Sequence, residues 1–326
     1  MKSLLSASID RLLAGDDSSA AEVEAAILAI LDGEASDAQI GGWLVAMRAH
    51  GENSEALVGG ARALLCRATK VPALGWAVDT CGTGGDGQGS LNISTLAAFV
   101  LAAAGVPVSK HGNRSVSSRT GSADLIAALG INLEAPLPDI VRGFDELGLA
   151  FLFAPRFHPT LRRVAAVRKE LGIRTVFNLL GPLCNPAETR FRVVGVFDAR
   201  WLEPMARALS DLGVERAVVL CGEGGLDEPH PEGKTHVIWV DRDQLTPATL
   251  TPQDFGLRPA RLSDLGGGRS PVGARSSIVM TAALGLHLFE RTPLLEAAAK
   301  IERTLDIGAA LSLVDRWRAT QAESGL

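Results

Sequence analysis

The sequence predicts an α/β protein with a small helical domain over residues 1–70 and a larger α/β domain over 71–326, built on a central, mostly parallel sheet. Three observations lead there. The first 70 residues carry helix start and stop signals and no strand-like run. From Trp76 onward, short apolar runs alternate with helical segments, which is the repeat of a parallel α/β sheet. The 326 residues, 47% hydrophobic and 21% charged, suffice for a sizeable core and exclude a disordered chain.

In the helical part, Ser19 and Glu22 fit a capping box ahead of "VEAAILAILDG", and Gly33 is a natural stop. Ser36 and Gln39 repeat the pattern ahead of "IGGWLVAMRAHG", which ends at Gly51. Asn53 then caps "SEALVGGARALL". Short loops between such helices predict a bundle. In the second part, "WAVDTC" predicts a buried strand, a glycine loop leads into the helix "TLAAFVLAAAG", and "VPVSK" returns as the next strand. Further strands are expected at "AFLFA", "RFRVVGVF", "RAVVLCG" and "THVIWV". The stretch "LGGGRSPVGARSS", residues 265–277, reads as a linker.

Several classes are disfavoured. A net charge of −5 is unlike the basic excess of nucleic-acid binders. The first fifteen residues carry Asp10 and no long apolar core, so no secretory signal is expected. "LAAFVLAAAGVPV" is too short to span a bilayer. Cys66, Cys81, Cys184 and Cys221 have no CxxC spacing, so neither a zinc knuckle nor a redox pair is indicated. A soluble, cytoplasmic chain is the expectation.

Residues 82–95, "GTGGDGQGSLNIST", form a glycine-rich turn opening onto a helix. Bare backbone N–H groups and the helix dipole there make a phosphate cradle. Gly82, Gly84 and Gly87 satisfy G-x-G-x-x-G, yet no Asp or Glu follows between Asp86 and Asp124 to hold a ribose hydroxyl. Gln88 stands where a Walker loop needs lysine. The second cluster, "SKHGNRSVSSRTGSAD", places Lys110, His111 and Arg114 among Ser115, Ser117, Ser118 and Ser122. A βαβ unit brings it beside the first loop, so the two read as paired anion sites for a ligand with phosphates at both ends. In "GEGGLDEPH", Asp227 and Glu228 follow a strand in a glycine-rich turn, a placement suited to Mg²⁺ shared with substrate phosphates. In "PTLRRVAAVRKELG", Arg168 shares a helical stripe with Leu161, Val164 and Leu171. An inward guanidinium needs a partner, and the pattern leaves open a ligand carboxylate or a structural salt bridge.

Together, "GTGGDG", "NIST", "KHGNRSVSSRTGSAD", "FLFAPRFHPTLRRVAAVRKELGIRTVFNLLGPLCNP" and "GLDE" resemble, in order and spacing, the anthranilate phosphoribosyltransferases of tryptophan biosynthesis. The resemblance runs from about residue 75 to 230. It implies a fold like that of the nucleoside phosphorylases, a homodimer, and a helical domain rejoined by about residues 160–185. It also implies Mg²⁺-dependent transfer of phosphoribosyl from phosphoribosyl pyrophosphate (PRPP) to the amine of anthranilate. By that resemblance Gly82, Gly84, Gly85, Asp86, Asn92, Ser94, Thr95, Lys110 and Ser122 would line the PRPP site. Ser94, Asp227 and Glu228 would hold Mg²⁺. Gly82, Asn113, His158 and Arg168 would meet anthranilate, and Lys110 and Arg168 would matter most to the reaction. The chain departs from the family near the C-terminus, where Met280-Thr281 replace an Asn-Ala pair after a shortened segment. A pyrimidine nucleoside phosphorylase is the nearest rival, and "GLDE" with the "KHGNR" loop favours the transferase. A binding protein that lost catalysis is disfavoured by the retained carboxylates and Lys110.

Overall fold

The computed structural model describes residues 3–85, 91–114, 120–263 and 272–323. The chain opens with four helices, α1 (Leu4–Ala14), α2 (Ala20–Asp32), α3 (Asp37–His50) and α4 (Ser54–Cys66). Their ends follow from local chemistry. Complete capping boxes join Ser19 to Glu22 and Ser36 to Gln39, and Asn53 accepts from the Ala56 N–H. Gly33 closes α2 with φ +81°, a conformation that favours glycine.

The order then becomes β1 (Val78–Gly82), α5 (Ile93–Ala103), β2 (Val108–Gly112), α6 (Ser122–Ala128), α7 (Leu137–Leu147) and β3 (Leu149–Phe153). Next come α8 (Ala154–Phe157), α9 (Arg162–Leu171), α10 (Phe177–Leu180), β4 (Phe191–Gly195), α11 (Leu202–Asp211) and β5 (Arg216–Gly222). The hairpin β6 (Thr235–Asp241) and β7 (Gln244–Leu250) precedes α12 (Val272–Glu290), α13 (Leu294–Asp306) and α14 (Ala309–Glu323). Seven strands form one sheet in the order β3-β2-β1-β4-β5-β6-β7. The first five strands pair in parallel, and β6 and β7 are antiparallel.

Parallel strands covered on both faces read as continuous apolar runs, and every residue of β3 and β4 is buried accordingly. β7 was not expected from the sequence. "QLTPATL" contains Pro247, which removes a ladder donor and is tolerated because β7 is an edge strand.

Two main cores flank the sheet. On one face, Val194, Val219 and Cys221 meet α11 and, through it, α2 and α4. Val164 and Val167 of α9, with Phe177 and Leu180 of α10, pack into this same core. On the other face lie α5, α12, α13 and α14. By length and composition α12 could cross a membrane, yet Val279, Ala283 and Leu286 are completely buried, because it is the central core helix on α5.

The linker expectation for 265–277 is corrected in part. Residues 264–271 lie outside the described set, but Val272–Ser277 open α12. Gly273, Ala274, Ser276 and Ser277 are small because the helix packs closely there, and Ser277 donates to the Pro229 carbonyl at 2.7 Å. Met280 and Thr281, the departure from the family pattern, are both buried.

Candidate active site

The chain builds β1, β2 and β3 to one side and then returns to place β4 on the other side of β1. Ligands of open α/β sheets bind at such a reversal, beyond the carboxyl ends of the strands. Glycines end β1, β2 and β4 there. Gly82 pairs with Gly195, and Gly112 ends β2 beside Phe153. A Cβ on Gly82 would stand 2.6 Å from Asp227 Oδ2, and one on Gly195 would overlap the Asp227 carbonyl. These glycines let the carboxylate turn close onto the strand ends. The loop after β1 then runs through Gly84 and Gly85 at φ +66° and +76°.

The carboxylate turn follows β5. Gly224 and Gly225 adopt positive φ, and Leu226 bridges back to Gly222. Asp227 and Glu228, each 8% exposed, are thereby tucked under the first loop. Asp227 Oδ2 accepts from the Gly84 N–H at 2.7 Å. Glu228 Oε1 accepts from the Ser94 N–H at 3.1 Å, at the positive end of α5. Thr281 Oγ1 lies 3.5 Å from Glu228 Oε2. Lys110, 3% exposed on β2, donates to the Thr80 carbonyl and approaches Ser94 Oγ at 3.3 Å. Burial presses the Lys110 pKa below its ordinary value, opposed by Asp79, Cys81 and Glu228.

The second loop joins the first through side chains. Ser122 Oγ accepts from the Asn113 N–H at 3.1 Å, and Asn92 Nδ2 reaches the Gly121 carbonyl at 3.4 Å. Thr95 is buried beside Ser94. Gly82, Gly84, Gly85, Ser94, Thr95, Lys110, Asp227 and Glu228 thus share one sheet edge, with Asn92, Asn113 and Ser122 at its flank. Asp86, Ser115, Ser117 and Ser118 lie outside the described residues.

The basic cluster expected at Lys110, His111 and Arg114 is divided. Arg114 pairs with Asp124 at 3.1 Å, an interaction that needs α6. Burial, with neighbouring His158, Arg192 and Lys110, pushes His111 well below the usual imidazole range. It is a neutral group at pH 7.

On the other side, His158 is 2% exposed, and its Nε2 lies 2.8 Å from the Cys184 carbonyl. Burial lowers its pKa too. Its ring stands 5.2 Å from that of His111, and His111 Nε2 is buried without a partner among the described residues. Arg168 is half-buried on α9 with its guanidinium 5.5 Å from the centre of the Phe177 ring. Burial pulls its pKa below the ordinary value. It makes no ion pair among the described residues, so the structural salt bridge left open by the sequence is absent there.

Sequence reasoning missed the support beneath the site. Asp79 is completely buried and accepts from Asn185 Nδ2 at 2.9 Å and from the His111 N–H at 3.3 Å. Asn185 also donates to the Ser109 carbonyl at 2.8 Å. Burial raises the Asp79 pKa, opposed first by the nearby Lys110 charge. The signal was an acidic residue inside the apolar run "WAVDTC", since buried charges are retained where they are hydrogen-bonded.

Among the described residues no group of three His, Cys, Asp or Glu side chains forms a closed metal cage. Asp227, Glu228 and the Ser94 hydroxyl are hard oxygen donors, and Mg²⁺ commonly completes its shell with water and substrate phosphates. The donor set fits such an ion.

Comparison with known proteins agrees with this geometry. Residues 74–311 match the glycosyl transferase family a/b domain, and residues 6–68 match the helical bundle domain of the glycosyl transferase family. The anthranilate phosphoribosyltransferase of Anaeromyxobacter dehalogenans (strain 2CP-C) is 44% identical over 93% of this chain and 94% of its own. That of Moorella thermoacetica is 43% identical over 97% of this chain and all of its own. The crystal structure of anthranilate phosphoribosyltransferase from Thermus thermophilus superposes with a TM-score of 0.87 at 40% identity, covering 96% of this chain and 98% of that one. The Saccharomyces cerevisiae enzyme in complex with PRPP and Mg gives 0.86 at 26% identity, covering 99% of each. The chain belongs to the glycosyl transferase family and, within it, to the anthranilate phosphoribosyltransferases.

Proposed function

We propose that this chain transfers the phosphoribosyl group of PRPP to the amine of anthranilate, releasing pyrophosphate, as a step of tryptophan biosynthesis. The observation that carries the reading is the meeting of the glycine loop, Lys110, Ser94, Asp227 and Glu228 at the reversal point of the sheet. Loss of pyrophosphate leaves positive charge on the sugar, so the site must neutralise the leaving group.

Lys110 and the backbone N–H groups of the first loop do so from the protein side. Asp227, Glu228 and Ser94 would hold Mg²⁺, whose chemistry there is to offset pyrophosphate charge. Asn92, Thr95 and Ser122 position the rest of the donor. Arg168 takes the anthranilate carboxylate, which supplies the ion-pair partner its guanidinium lacks among the described residues, and Gly82, Asn113 and His158 shape the acceptor's surroundings. An aromatic amine is already neutral at pH 7, so holding it against the anomeric carbon contributes more than a strong base. The neutral His111 and His158 suit such a wall.

In this reading the helical unit that carries α9 faces the sheet edge across the site. The chain works as a cytoplasmic homodimer. Leu4 and Leu13 of α1 and Val45 of α3 are exposed apolar residues on the helical unit in keeping with a partner subunit.

Loss of anthranilate fluorescence on mixing protein, PRPP, Mg²⁺ and anthranilate tests the reaction. Loss that requires all four, with a product mass equal to phosphoribosylated anthranilate, is the expected outcome. Persistence of fluorescence with all four present would reject it.

A further inference from the structure

Arg174 lies between Arg168 of α9 and Phe177 of α10. Its side chain is exposed yet held by two contacts. The guanidinium stacks 4.0 Å from the centre of the Phe197 ring, and Nη2 donates to the Gly85 carbonyl. Nη2 would stand 3.2 Å from a Cβ on Gly85, so the guanidinium covers the side of the loop that this glycine leaves open.

The Phe197 platform is itself anchored to both halves of the donor site. Its N–H donates to Thr83 Oγ1 at 3.2 Å, on the first loop. Its carbonyl lies 2.8 Å from the Cβ position of Gly225, in the turn that carries Asp227. Beyond Thr83, the glycine loop is held by Asp227 at the Gly84 N–H and by Arg174 at the Gly85 carbonyl.

Glycine-rich segments lose the most conformational freedom on ordering. A ligand that binds one loop conformer loses affinity in proportion to the fraction of time that conformer is absent. The stretch around Arg174 is fixed by Val176 and Phe177, which are buried in the core shared with the helical unit.

We infer that Arg174 is a positioning residue: it ties the acceptor-side connector to the donor's glycine loop and holds that loop ready for the pyrophosphate end of the donor. The inference rests on the donor site proposed above. A planar guanidinium stacks and donates at once, whereas a lysine ammonium does only the second.

Steady-state kinetics with Mg²⁺ and both substrates test it in the whole enzyme. Arg174→Ala is expected to raise the donor KM about tenfold, equivalent to about 1.4 kcal/mol. kcat should stay within about threefold, the anthranilate KM within about twofold, and the melting temperature near that of the parent, as for an exposed side chain. Arg174→Lys should remain at least about fivefold impaired for the donor, because the stack is lost. Phe197→Leu should reproduce the effect, and the double variant should be no worse than Arg174→Ala within about twofold, since both break one strut. An unchanged donor KM in Arg174→Ala, an equal rise in both KM values, full rescue by lysine, or a kcat loss tracking a fall in melting temperature would each overturn the inference. If the parent protein turns over no anthranilate, the proposed reaction fails. Donor binding by calorimetry then still decides the strut, with the same tenfold weakening expected.

Discussion

Replacing Gly195 with alanine probes how closely the carboxylate turn must approach the strand ends. A Cβ there would stand 2.6 Å from the Asp227 carbonyl carbon and 3.3 Å from its Cα, with the carbonyl oxygen closer still, where ordinary contact begins at 3.4 Å. These are backbone atoms, so no flexible side chain can swing away. The turn has to retreat by about 1 Å or more, and a displacement of that size at a reacting group costs on the order of 100-fold in rate. Overpacking of this kind also costs about 1–3 kcal/mol of stability. Gly195→Ala should therefore fold, melt a few degrees lower, and lose about 100-fold in kcat/KM, with a raised Mg²⁺ requirement because Asp227 and Glu228 move together. The assay is anthranilate fluorescence at several Mg²⁺ concentrations, alongside thermal unfolding. Parent-like turnover with an unaltered Mg²⁺ dependence would refute the placement of the turn at the site.

Two further outcomes follow from charge. Asp227→Asn with Glu228→Gln should abolish Mg²⁺-dependent turnover while the protein stays folded, because each amide keeps the carboxylate's shape and an oxygen that can accept from the Gly84 or Ser94 N–H; an unchanged Mg²⁺ titration would remove them from the metal site. His111 and His158 have folded pKa values below the ordinary 6.5. As pH falls the unfolded chain therefore binds protons first, so their stabilising effect is complete above 6.5 and is lost below it. Urea unfolding should show stability dropping by up to about 1.4 kcal/mol per histidine per pH unit below that point. His111→Gln with His158→Gln should flatten the slope, and an equally steep slope in that variant would contradict burial of both rings as neutral groups.

What the sequence made legible was chiefly local. Ser19, Ser36 and Asn53 mark helix starts through bonds to residues three positions on, and all three act as read. The strands that sit inside the sheet declare themselves as apolar runs, whereas β7, an edge strand with Pro247, carries no such run. Asp227 and Glu228 stood out because a glycine-rich turn follows an apolar strand. Asp79 showed only as an acidic residue inside an apolar run and Asn185 not at all, because their partnership spans the fold. The same limit hid the pairing of Arg114 with Asp124 of the next helix. It also hid Arg174, which reads as surface charge until the fold brings Phe197 and Gly85 beside it. Small residues at 272–277 looked like a linker because close helix packing and flexible loops select the same residue types.

The central claim is that donor and acceptor are held by different parts of the chain, the sheet edge and α9. The most direct measurement is the pair of KM values in two variants, Arg168→Ala and Ser94→Ala. Loss of a guanidinium–carboxylate bond, about 1.5–3 kcal/mol, should raise the anthranilate KM roughly 10- to 100-fold in Arg168→Ala and leave the PRPP KM nearly unchanged. Ser94→Ala should do the reverse. If both variants raised both constants equally, the division of the site between the two elements would be wrong.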